Sequence, residues 1–153
     1  MSSQTSSTTG KDNYGLRRRS REMALQLLFQ REFATEGMGP TADGALRRFV
    51  HDFSIEPEIA EYGGQLFLGV SARMKEIDGI IQAHSSHWKV SRMGLVDLSV
   101  MRIAVFEMKF LSPAMTPNIA IDEAVEIAKK FGSTDSGAFV NGILDHVSRT
   151  ISG

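Results

Sequence analysis

Four arginines within five residues, Arg17, Arg18, Arg19 and Arg21, are the residues of this chain best suited to chemistry with an anion. On a helix, Arg17 and Arg21 lie one turn apart, and Arg18 and Arg21 are neighbours at i,i+3. Guanidiniums crowded in this way repel one another unless an anion sits among them. In the first turns of a helix they also oppose the positive end of its dipole. The pattern is therefore unfavourable for a free helix and favourable for phosphate. Arginine suits RNA in particular, because it pairs bidentately with phosphate and stacks on bases. Spacing alone is equally compatible with a solvated basic arm.

A second group stands near the end, in Phe131-Gly132-Ser133-Thr134-Asp135-Ser136-Gly137-Ala138-Phe139-Val140-Asn141-Gly142-Ile143-Leu144-Asp145. Physically this reads as one helix stopping and another starting. Lys129 and Lys130 suit a last turn, Gly132 can close it in the left-handed conformation, and Ser133, Thr134 or Asp135 can cap the next helix. Backbone donors near Ser133 to Ser136 can accept phosphate. Asp135 repels phosphate, and is suited either to a base amino group or to capping. Phe139 has the spacing of a core residue, with base stacking as the alternative. Asn141-Gly142 is poor helix material, which points to close packing or a polar contact.

Other constellations carry less. His84 and His87 have i,i+3 spacing but lack local ligands to complete a metal set, so packing or surface roles are expected. No GxSxG, GxxxxGK[ST] or GxGxxG motif is present. Asp122, Glu123 and Glu126 with Lys129 and Lys130 read as ordinary helix charge pairs. Trp88 beside Lys89 reads as a packed loop anchor. Neither catalytic residues nor metal ligands nor cofactors are expected.

The elements that must position these residues are helices. Of 153 residues, 42% are hydrophobic and 23% charged, with no cysteine; this is the composition of a globular chain without disulfides. The net charge of −1 hides an asymmetry: residues 11–22 carry +3, and residues 23–153 carry −4. A basic patch on a mildly acidic body suits a localised anion site. No apolar run reaches the roughly 18 residues of a membrane span. Residues 1–14 read as a disordered Ser/Thr-rich tail, not a secretory signal, and 15–153 as a single domain.

Periodicity predicts helices over about Leu16–Ala34, Asp43–Phe53, from Glu56-Pro57 through Val70, Glu76–His84, a central one through Leu95–Met108, Asn118–Phe131 and Thr134–Arg149. Ser54 and Ser91 are candidate caps. Gly63-Gly64 in the third helix implies close helix approach, and residues 37–44 are a hinge candidate. The expected fold is all-α, a compact bundle of roughly seven helices with short links.

Four blocks in order resemble the NusB family of bacterial transcription antitermination factors. They are the arginine-rich helix from Arg17 to Phe29, the central Val100-Met101-Arg102-Ile103-Ala104-Val105-Phe106-Glu107-Met108, the helix Ile119 to Lys129, and the closing FG…S..FVNG.LD signature. The resemblance covers roughly residues 15–150. It implies two crosswise-packed helical subdomains, no catalysis, and action in the cytoplasm. It implies binding of boxA RNA in nascent ribosomal RNA transcripts, jointly with the small-subunit ribosomal protein NusE. It further implies delivery to the RNA polymerase elongation complex with other Nus factors, supporting read-through. Carried over residue by residue, RNA contact falls on Arg17, Arg18, Arg19 and Arg21, then on Asp135 and Phe139. Partner contact falls on Asp97, where the family more usually has glutamate. Some relatives self-associate, so a homodimer is a further expectation. A self-associating interaction protein, or an accessory domain for an RNA-modifying enzyme, is the alternative reading.

Overall fold

The computed structural model describes residues 2–34 and 39–152, with side chains described for 15–34 and 39–151. Among them are seven α-helices: α1 (Ser2–Glu32), α2 (Ala42–Asp52), α3 (Pro57–Ala72), α4 (Met74–Ala83), α5 (Leu95–Phe110), α6 (Pro117–Phe131) and α7 (Ser136–Ser152). One 3-10 turn, Val90–Arg92, links α4 to α5. The all-α bundle expected from periodicity is the observed architecture.

The bundle is organised around α5, which touches α1, α3, α4, α6 and α7. Every residue from Leu98 to Met108 is buried, which is why its apolar residues show no single face. On one side α1 packs along α3, with α2 across them; on the other α6 and α7 pair. Met23, Ala24, Leu27 and Leu28 of α1 enter the same core as Met101, Val105, Ala124, Leu144 and Val147.

Local chemistry sets most helix ends. Thr41 caps α2 by accepting the Gly44 N–H at 3.1 Å. Pro57 and Pro117 occupy first turns, where the missing donor is harmless. Several boundaries differ from expectation. Ser54 caps nothing; it takes a left-handed φ of 48° in the α2–α3 turn, and Glu56 precedes α3. Ser91 lies inside the 3-10 turn, and Gly94 precedes α5. Gly132 ends α6 in an extended conformation. Gly44 of the proposed hinge is inside α2; residues 35–38 lie outside the described residues.

The helical backbone of α1 starts at Ser2, where a tail over 1–14 was expected. Ser and Thr are only modestly poorer helix formers than the best residues, so a helix nucleated at 15–32 can propagate into them.

The glycines of α3 report how tightly the layers close. A Cβ on Gly63 would stand 2.8 Å from the Met23 sulfur and 3.0 Å from the Ser20 carbonyl oxygen, the close α1–α3 approach expected. On Gly69 it would fall 2.1 Å from the buried ring of Phe106, whereas at Gly79 on α4 nothing lies within 4 Å. Gly69→Ala should therefore cost about 1–3 kcal/mol through overpacking, and Gly79→Ala should gain about 0.5–1 kcal/mol through helix propensity. Urea unfolding of the two variants checks the opposite signs; equal signs would contradict this packing.

Candidate nucleic-acid interface

The four arginines do not share one fate. Arg21 points into the bundle, its side chain 3% exposed. Its Nε donates to both Glu107 carboxylate oxygens at 3.0 and 3.1 Å, its Nη2 donates to Oε2 at 2.8 Å, and its Nη1 donates to Glu123 Oε1 at 3.1 Å. Tyr62 donates its phenolic O–H to Glu107 as well. Arg18 reaches the same Glu123 with Nε at 3.1 Å and with Nη2, a two-pronged contact to a carboxylate that is fully buried. One network thus ties α1, α3, α5 and α6.

This corrects the assignment of Arg21 to RNA contact. The anions that relieve arginine crowding there are two carboxylates of the chain itself. Glu123 is correspondingly no surface charge pair. Burial on its own would lower the Arg21 guanidinium, but hydrogen bonding to Glu107 and the charges around it hold it above its ordinary value.

Tyr62 is pushed well above the ordinary phenol range, first by burial and then by the adjacent Glu107. A raised folded-state value means that the neutral phenol favours the fold. That stability is fully present below the unfolded value near 10, and is lost as pH rises beyond it toward the folded value. Thermal stability should accordingly fall above about pH 10 in the parent, and less steeply in Tyr62→Phe. A melting series from pH 8 to 11 on both proteins checks this; parallel curves would contradict it.

Arg17 and Arg19 remain outward. The Arg17 guanidinium lies 4.7 Å from the centre of the Tyr62 ring, and Arg19 Nη2 stands 3.6 Å from Glu56 on an exposed edge. A cleft of about 520 Å³ beside Arg17 is lined by Glu58 and Glu61 of α3. Arg17 and Arg19 thus stand on the α3 side of α1, among Tyr62, Glu56, Glu58 and Glu61.

On the α6 side the two lysines stand beside carboxylates, Lys129 Nζ lying 3.6 Å from Glu126. Lys130 donates to Glu22 of α1 at 3.2 Å, joining the α6 end to the arginine helix. The Lys129 stem lies against Gly137, where a Cβ would stand 3.0 Å from its Cγ. A Cβ on Gly132 would meet Ser136 Oγ at 2.3 Å and the Ala128 carbonyl oxygen at 2.7 Å, so the α6–α7 turn closes only over glycine. Ser136 Oγ accepts the Ser133 N–H at 2.9 Å and fixes the turn. Asp135 is exposed just before α7, and its carbonyl accepts the Phe139 N–H at 3.1 Å. Phe139 is half-buried and meets Trp88 edge-to-face, with ring centres 5.9 Å apart. Glu22 of α1, Lys130, Lys129, the α7 start and Trp88 thus follow one another, through contacts and along the chain.

Other expectations resolve differently. Asn141 and Gly142 are exposed, with nothing within 4 Å of a Cβ on Gly142; the structure offers no packing reason for them. Trp88, expected to be packed, is 55% exposed. His84 is a packing residue: Nδ1 must donate to the Ile80 carbonyl at 2.8 Å, leaving Nε2 2.8 Å from the Thr150 hydroxyl. Asp97 stands half-buried in the first turn of α5, where a carboxylate also suits the helix dipole. Nearby, Arg102 is buried, paired through Nε and Nη2 with Asp78 at 2.8 and 2.9 Å and through Nη1 with Glu32 at 3.3 Å. No sequence spacing announced this second buried arginine, because its partners lie 24 and 70 residues away.

Among the described residues, no group of three or more His, Cys, Asp or Glu side chains could hold a metal ion, and no helix is long and apolar enough to cross a membrane. The comparisons with known proteins agree with the fold. The transcription antitermination protein NusB of Bdellovibrio bacteriovorus is 48% identical over 133 residues, covering 87% of this chain and 95% of that protein. That of Geobacter sulfurreducens is 42% identical, covering 90% and 96%. The solved structure of T. maritima NusB superposes with a TM-score of 0.78 at 31% identity, covering 90% of this chain and 93% of that one. A chain from a crystal structure of the antitermination factors NusB and NusE in complex with dsRNA gives 0.76 at 25% identity, covering 88% and 97%. The NusB family model matches residues 18–149. With fold, length and signature turn in agreement, the chain belongs to the NusB family.

Proposed function

We propose that this protein is a transcription antitermination factor that binds boxA RNA of nascent ribosomal RNA transcripts together with the ribosomal protein NusE, and supports read-through by RNA polymerase. The observation that carries the reading is the pair of exposed arginines, Arg17 and Arg19, on α1 together with the α7 start, where Asp135 is exposed and Phe139 half-buried. A family member of the same fold has been seen with NusE and RNA. The protein acts by binding, in the cytoplasm, without catalysis.

The exposed arginines supply phosphate attraction, which is salt-dependent and blind to sequence. Arg18 shares Glu123 with Arg21, so its role is to hold the arginine edge in place and to lend the surface part of its charge. Sequence choice falls to unstacked bases at the α7 start, where Asp135 accepts from a base amino group and Phe139 offers a ring edge. Asp97, in the first turn of α5, is the proposed NusE contact. Fluorescence anisotropy of labelled boxA RNA against a scrambled control, with and without NusE and across a salt series, tests the reading. Preference for boxA, tightened by NusE, supports it. Equal weak binding of both RNAs with no response to NusE overturns it.

A further inference from the structure

Trp88 is the only tryptophan of the chain, and it is more than half exposed although its backbone is firmly held. The Trp88 N–H donates to the Ser85 carbonyl at 3.1 Å. The Trp88 carbonyl accepts from Gln82 Nε2 at 3.0 Å, and the N–H of Val90, two residues on, donates to Gln82 Oε1 at 2.9 Å. Ser85 is itself buried and anchored, its hydroxyl donating to the Ile81 carbonyl at 2.8 Å. The α4–α5 connection is thus fastened to α4 on both sides of the indole. The exposure is a fixed presentation of the ring.

The surroundings point to one kind of occupant. The ring planes of Trp88 and Phe139 are 87° apart, and an edge-to-face contact covers at most one face of the indole. Phe139 belongs to the start of α7, so the open indole adjoins the α7 start. Lys89 is exposed beside Trp88, and Arg92 is exposed one turn on, its N–H donating to the Lys89 carbonyl at 2.9 Å. An open aromatic face flanked by long cations is the combination by which single-stranded nucleic acid is held: bases stack on the ring and phosphates pair with the cations. Lysine is depleted at protein interfaces, so the exposed Lys89 beside the open ring favours nucleic acid over a protein partner.

We infer that Trp88 is a stacking platform for an unpaired RNA base, with Lys89 and Arg92 holding the adjoining phosphates. This rests on the RNA-binding reading above and extends its surface from the α7 start across the α4–α5 connection. Stacking of this kind tolerates any base, so Trp88 contributes affinity and a requirement for unpaired strand, while sequence preference stays with the α7 start.

Because Trp88 is alone, the emission of the unlabelled full-length protein reports on this site directly. The experiment titrates it with a single-stranded boxA 12-mer and with the same sequence as a duplex. Anisotropy of the labelled RNAs is followed in parallel. The expected result is quenching that saturates with the anisotropy midpoint for the single strand and is weaker for the duplex. Trp88→Ala should weaken single-strand binding roughly 5- to 100-fold, and Trp88→Phe should restore most of it. If the RNA binds by anisotropy while emission is unchanged and Trp88→Ala binds like the parent, the platform is refuted and the RNA-binding reading survives. If NusE without RNA changes the emission and RNA does not, the surface belongs to a protein partner and the inference is overturned. If no RNA binds at all, both fall together. Quenching of the parent needs no variant, so a poorly folding Trp88→Ala leaves the test decisive.

Discussion

Glu107→Ala is expected to cost about 3–5 kcal/mol of unfolding free energy, because it strips a buried guanidinium of its main counter-ion. Arg21 would keep only Glu123, which Arg18 already engages, and the Tyr62 hydroxyl would lose its acceptor. At this chain length such a loss lowers the melting temperature by on the order of 10 °C. Arg21→Ala should do comparable damage, for the mirror-image reason. Urea unfolding near neutral pH measures both. A loss of less than about 1 kcal/mol in each, well under the range for breaking a buried pair, would mean that water already reaches the network. The effect on RNA binding should appear only through the folded fraction.

Arg17→Ala with Arg19→Ala is expected to do the reverse. Both side chains are exposed and neither anchors the core, so stability should stay within about 0.5 kcal/mol. RNA affinity should fall roughly tenfold for each arginine, at about 1.5 kcal/mol per charge-assisted contact. The slope of log affinity against log salt should become shallower by nearly one unit per lost phosphate contact, so by nearly two for the pair. The loss should be uniform across RNA sequences. Anisotropy at four or five salt concentrations reads all of this. An unchanged slope would remove these arginines from the RNA surface. Together the two experiments separate side chains that sit four residues apart and look alike in the sequence.

That likeness marks where sequence reading succeeds and stops. Helical spacing of Leu25, Leu28, Val105, Val140 and Leu144 announces buried stripes, because periodicity is a local property that packing then uses. Gly63 announces a close helix approach for the same reason. What escapes is every feature made by residues distant along the chain. Nothing near Arg21 reveals that Glu107 and Glu123, more than 80 residues on, will enclose it. On its own helix Glu123 looks like one of several surface acids. Trp88 beside Lys89 reads as a packed loop anchor, yet with its backbone fastened to Gln82 and Ser85 the ring stands outside. Asp135 and Phe139 were legible as a helix start, while their link to α1 runs through Lys129, Lys130 and Glu22, the lysines reading in sequence as last-turn cations and ordinary helix charge pairs. The poor helix residues Asn141 and Gly142 point to close packing or a polar contact, and the structure gives no packing reason for them.

The enclosed network has a consequence for how this sequence can drift. Arg21, Tyr62, Glu107 and Glu123 come from four separate helices; losing Arg21 strips two buried carboxylates of their shared guanidinium, and losing Glu107 leaves Arg21 only the carboxylate it shares with Arg18. Replacing the set at once by apolar residues of matching volume need cost little, yet each one-step route passes through a damaged intermediate. These positions therefore form an epistatic block, traversable only in concert. Arg18, which touches the block from the rim, is the one member whose exchange leaves the central pair intact. Lineages diverging from this chain would be expected to vary first at Arg17 and Arg19, next at Arg18, and at the enclosed positions only as a unit.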